Sequence, residues 1–145
     1  MPKLRIPLFV TRVLIALFLM PWVAMRFTAS ESARGIADKY YGFGDAPEII
    51  FTLIAIGWGL LLFAFVIGFA RRVSYGLVLI LHTIGTVRTV PYLIPGTENF
   101  NILFMAALPT VGAMWLLYLL RAQDTLLSVD SLRDRTQPSG SAVLS

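Results

Sequence analysis

The sequence predicts an all-α fold: a four-transmembrane-helix bundle with both termini cytoplasmic. Three observations predict it. The 145 residues are 57% hydrophobic and only 14% charged, too apolar for an ordinary soluble domain of this length. Four apolar stretches each approach the roughly 20 residues that a helix needs to cross a bilayer. The charges gather at the ends of these stretches and are distributed unevenly between the two sides. Lys3, Arg5, Arg12, Arg71, Arg72, Arg121, Arg133 and Arg135 fall on the side of the termini, against Arg26, Arg34, Lys39 and Arg88 on the other. The positive-inside rule assigns the richer side to the cytoplasm.

Helix one is expected over 6–25. Its apolar run is longer than the roughly 7–15 residues of a secretory signal core, so it reads as a true span or an uncleaved anchor. Pro7 suits a first turn and Pro21 is expected to kink the outer end. The outer connection, 26–46, is the longest. Its Lys39-Tyr40-Tyr41-Gly42-Phe43-Gly44 sequence suits the headgroup region or a lid over a cavity. Helix two, 47–70, opens on Asp45-Ala46-Pro47-Glu48, a pattern close to a capping box. Two roles fit Glu48, capping or ligand and proton chemistry. Ala55 and Gly59, and Ala64 and Gly68, stand four apart and allow close helix packing. Arg71-Arg72 forms a tight turn into helix three, 73–94, and Pro95-Gly96-Thr97 turns into helix four, 100–120, where Pro109 predicts a kink. A short surface segment then completes one domain, 1–136, and 137–145 reads as a disordered tail.

Composition excludes several function classes. With no cysteine, the chain forms no disulfide, thiol redox centre or thiolate metal site. A single histidine excludes a haem held by two histidines of this chain. No metal site and no catalytic set is expected. The net charge of +4 belongs to the helix ends, so the expected partners are the lipid bilayer and other membrane subunits, not nucleic acid.

The third stretch carries the strongest polar residues. An ionisable group in hydrocarbon is costly and marks a functional candidate. His82 lies near the midplane, with Thr86 and Thr89 on the same helix face and Trp58 of helix two at similar depth. It reads either as a neutral cross-helix hydrogen-bonding residue or as a ligand, quinone or proton site. Arg88 leans deeper into the membrane, because side chains tilt toward the helix N-terminus. It therefore calls for a partner, either an acid (Glu48, Glu98 or Asp45) or an anionic headgroup. His82 and Arg88 are six apart, which sets them about 120° apart around an ideal helix. Arg12 near the inner end of helix one is expected to snorkel to lipid phosphates. With Arg71 and Arg72 it is taken as lipid-facing or structural.

Three segments resemble the DoxX-like family of small four-helix membrane proteins. They are TRVLIALFL in helix one, GWGLLLFAFVIGFARRVSYGLVL across helices two and three, and LLSVDSL near the end, where Ser128, Val129 and Asp130 are similar to a terminal Ser-Leu-Asp element. The chain departs from the family at the middle of helix two. Ala55 stands where an acid is expected, and Glu48 lies two turns earlier. The resemblance implies a bacterial-type cytoplasmic (inner) membrane protein and, for some members, a subunit of a quinone-linked oxidoreductase. The expected function is a non-catalytic accessory subunit of a larger membrane complex, with a quinone as the admissible cofactor. A quinone- or lipid-binding redox protein in its own right and a small oligomeric transporter are the alternatives.

Overall fold

The computed structural model describes residues 2–96, 98 and 100–136, and these are all-helical with no strand among them. Six α-helices follow in order: α1 (Arg5–Thr28), α2 (Ser30–Tyr41), α3 (Glu48–Val66), α4 (Arg71–Arg88), α5 (Ala107–Leu119) and α6 (Val129–Thr136). The expected tail, 137–145, and positions 97 and 99 of the expected outer turn lie outside the described residues.

Four helices close a ring. α1 packs on α3, α3 on α4, α4 on α5, and α5 returns to α1. The starts of α1 and α4 meet the ends of α3 and α5 at one end, so neighbours run antiparallel. The core between them is apolar, built on Ile15, Leu19, Phe65, Tyr75, Val78 and Leu117. Ala55 is buried, and Gly59 faces the ring of Phe27. Among the described residues, α1 and α3 are the two helices long and apolar enough, by length and composition, to cross a membrane. α4 has Arg71 and Arg72 at one end and Arg88 at the other, which leaves a shorter apolar interior.

Several boundaries correct the expectation. The connection 26–46 is not an open loop, because most of it is α2. This helix buries Ala33 and Ala37, four apart on one face, and ends at Gly42, whose φ of +72° closes the last turn in the left-handed region. α3 stops at Val66 instead of residue 70, since Gly68 and Ala70 also take positive φ. α4 stops at Arg88 instead of residue 94 and gives way to a 3₁₀ turn, Val90–Tyr92. Pro91 accounts for this, because it cannot donate to Val87 and its ring crowds that carbonyl. The segment before α5 is a 3₁₀ turn, Ile102–Ala106, so Pro109 falls in the first turn of a helix rather than in its middle. There its missing N–H is no loss, and the expected mid-helix kink has no cause. The expected cap of helix two is also absent. Pro47 occupies the N-cap position of α3 without a side-chain hydrogen bond, and Glu48 is exposed.

Candidate functional site

Two polar constellations occupy opposite ends of the bundle. The first surrounds a cavity of about 270 Å³ at the end where α1 and α4 finish and α5 begins. α4 contributes His82, Gly85, Thr86 and Thr89, and α3 contributes Trp58. α1 adds Phe18, Trp22 and Arg26, and α2 adds Tyr40 and Tyr41. Phe104 and Ala107 complete the wall at the start of α5. The cavity thus brings together His82, Thr86, Thr89 and Trp58, as their shared depth and helix face predict. The aromatic segment at Tyr40-Tyr41 closes over it as part of a helix.

The chemistry of this cavity rests on its few polar groups. The His82 ring stands edge-on to Phe18, with centroids 5.7 Å apart. Its Nε2 is buried and makes no hydrogen bond of good geometry, and the ring interacts with the backbone of Ala107 in the same wall. The hydroxyl of Thr86 donates to the His82 carbonyl at 2.9 Å, and that of Thr89 to the Thr86 carbonyl at 2.9 Å. Both threonines therefore spend their protons on their own helix and offer only acceptor lone pairs to the cavity. The Arg26 guanidinium lies over the Trp58 ring, 5.7 Å from its centroid, and its Nε is also buried without a partner. Arg26 was counted in the sequence only as a charge at a helix end. The signal that could have found it is its spacing: with Trp22 it lies on one face of α1, one turn apart.

Glu48 and Arg88 do not join this site. Arg88 is the last residue of α4 and is exposed. Among the described residues it forms no ion pair, so the expected pairing with Glu48, Glu98 or Asp45 is not made. The reason is the early end of the helix. Arg88 stands at a terminus with open space around it, not six residues inside a continuing span.

The second constellation overturns the expected role of Arg12. Its side chain is fully buried, so it does not snorkel to lipid. One guanidinium nitrogen, Nη1, donates to the Tyr75 hydroxyl at 3.0 Å and to Asp124 Oδ2 at 3.1 Å. The other, Nη2, donates to the carbonyls of Leu126 at 2.6 Å and Leu127 at 3.2 Å. Tyr75 in turn donates to Asp124 Oδ2 at 2.6 Å. Asp124 is as buried as Arg12. Arg71 is buried as well and donates to the carbonyls of Arg121 at 2.8 Å and Asp124 at 2.6 Å. Arg72, its neighbour, is exposed.

The segment after α5 is held by this network and by the turn between α3 and α4. Asp130 accepts the backbone N–H groups of Ala70 and Arg71, each at 2.8 Å. Ser128 donates to the Gly68 carbonyl at 3.0 Å, and the N–H of Val129 to that of Ile67 at 2.9 Å. Gly68 has no room for a side chain. A Cβ there would stand 2.6 Å from Arg12 Nη1 and 2.8 Å from Ser128 Oγ. Both terminal guanidinium nitrogens of Arg12 are matched to acceptors of the same chain, while its Nε and Asp124 Oδ1 are buried without a partner, so the cluster acts as a clasp that is not fully satisfied. No family model, no curated protein and no solved structure matches this chain.

Proposed function

We propose that this chain is a four-span protein of a bacterial-type cytoplasmic membrane that holds a quinone-class ligand in its aromatic cavity. Both termini are cytoplasmic, and the cavity opens in the outer half. The role is that of an accessory subunit of a larger membrane redox complex, as the DoxX-like resemblance implies. One observation carries the ligand reading: His82, whose buried Nε2 has no hydrogen-bond partner, is among the residues lining a cavity walled by aromatic rings. A quinone head is a flat, apolar ring ending in carbonyl oxygens that only accept hydrogen bonds. Aromatic side chains suit its faces, and a neutral His82 protonated at Nε2 supplies a donor. A volume of about 270 Å³ is close to the lower end of ligand pockets, roughly 300–1,000 Å³. It suits a ring, with the apolar tail left among lipid chains.

The four-span reading is supported by where apolar side chains are exposed. Leu14 and Leu17 on α1, Leu53 and Leu60 on α3, Ile80 and Ile84 on α4, and Trp115 and Leu116 on α5 all face outward. So much apolar surface around a whole bundle calls for hydrocarbon or a partner against it. The shortness of α4 and α5 is offset by the 3₁₀ turns beside them and by local thinning of the bilayer.

Tryptophan quenching by a water-soluble quinone in nanodiscs tests the ligand reading. The variant His82→Ala should bind about fivefold more weakly, the worth of one hydrogen bond of roughly 1 kcal/mol. Unchanged affinity would count against His82 as a ligand contact. Intact-complex mass spectrometry after mild detergent extraction tests the accessory role, and finding this chain alone would reject it.

A further inference from the structure

Arg26 is the second open group of the cavity, and its charge changes what the site prefers. The guanidinium is half-buried at the end of α1 and lies over the Trp58 ring. Among the described residues it donates no hydrogen bond and forms no ion pair. Among the described residues no aspartate or glutamate lines the cavity. A permanent cation in an apolar, aromatic pocket without a counter-ion is an expensive arrangement. An anion entering the pocket would relieve it, because guanidinium and an ionised oxygen form a strong charge-assisted pair. Arg12, by contrast, has an acid and two carbonyls at its own head. The chain therefore supplies acceptors for one membrane-side arginine and leaves the other open toward the cavity.

We infer that the cavity selects a flat conjugated ring bearing an ionised oxygen, with Arg26 as its anchor. The ligand class is an ionised hydroxyquinone, a phenolate or an aromatic carboxylate, in preference to a neutral ring of the same size. Six aromatic side chains in the wall, Phe18, Trp22, Tyr40, Tyr41, Trp58 and Phe104, favour a ring over a saturated chain. Arg26 sits above Trp58, and His82 supplies the second contact from α4. A ring with oxygens on opposite edges can therefore engage α1 and α4 together. The inference rests on the ligand reading above and sharpens it from ring shape to ring charge.

The test compares a hydroxynaphthoquinone, whose acidic hydroxyl is ionised at neutral pH, with its methyl ether, which has the same ring and no charge. Binding is read from tryptophan quenching of the full chain in nanodiscs of zwitterionic lipid, against empty discs. A Trp115→Phe background removes a tryptophan that lies away from the cavity. The ionised compound should bind about five- to tenfold more tightly, the difference between a charge-assisted and a neutral hydrogen bond. Arg26→Gln should abolish that preference, and Arg26→Lys should keep part of it. Equal affinity for both compounds overturns the charge selection and leaves the ring-binding reading standing. Binding of neither compound removes the ring-binding reading itself. Loss of the preference when anionic phospholipid is added at constant ligand would show that Arg26 belongs to lipid phosphates, which also overturns the inference.

Discussion

Arg12 and Arg26 sit on the same helix and meet opposite fates, and the difference lies in what the rest of the chain brings to each. Arg12 finds Asp124, Tyr75 and two carbonyls, and all four lie at least 63 positions away in sequence. Removing one member of a buried pair strands the other. Asp124→Ala should therefore cost about 3–5 kcal/mol, read from chemical or thermal unfolding in detergent. Exchanging both for apolar residues, Arg12→Met with Asp124→Leu, should recover much of that loss. A double variant no more stable than either single one would show that the pair is not acting as a unit. Gly68→Ala attacks the same cluster from the backbone, through a φ of +62° and a clash with Arg12 Nη1. The sequence did flag Arg12 as a charge in an apolar run. It could not name the partner, since Asp124 reads as one more polar residue beyond the last span. Snorkelling explained Arg12 without a partner, and long-range folding made that explanation wrong. His82, Thr86, Thr89 and Trp58 were legible because helix periodicity and depth alone bring them together.

Helices declare themselves through hydropathy, and their ends do so less clearly. The four apolar runs became α1, α3, α4 and α5, while α2 went unrecognised because it is short and mostly polar. Its alanines at 33 and 37 and the stop at Gly42 were the available signs. α4 is started from a distance. No side chain of its own N-terminus caps it, and Asp130 of α6 accepts the N–H groups of the N-cap Ala70 and of Arg71 instead. Burial works to raise the Asp130 pKa. The N–H groups of Arg71 and Ala70, together with the Arg71 guanidinium, outweigh it and hold the carboxyl below its ordinary value. A depressed carboxylate stabilises the fold above its unfolded pKa of about 3.9, and that contribution disappears as pH falls through the lower folded value. Asp130→Asn should cost about 1 kcal/mol at neutral pH, in the range of a lost cap. The gap from the natural protein should shrink as pH falls below about 4. A gap of the same size at neutral and acid pH would contradict a role for the charge.

The whole bundle is polarised between a closed end and an open one. At the closed end, Arg12 pairs with Asp124 and Arg71 with Asp130. At the open end, Arg26 and His82 keep bonding capacity in hand. If the four-span reading holds, alkaline phosphatase fused after Lys39 or Gly96 should be active, because both positions then lie outside. Inactive fusions at both would reverse the orientation. The closed end also has a meaning in time. A ribosome delivers Arg12 well before Asp124, Leu126 and Leu127, which meet three of its hydrogen bonds from at least 112 positions further on. Until then α1 carries a charge without the carboxylate that receives it. A chain interrupted before residue 124 thus leaves α1 without the carboxylate that answers Arg12, and a late segment is the one that completes an early helix.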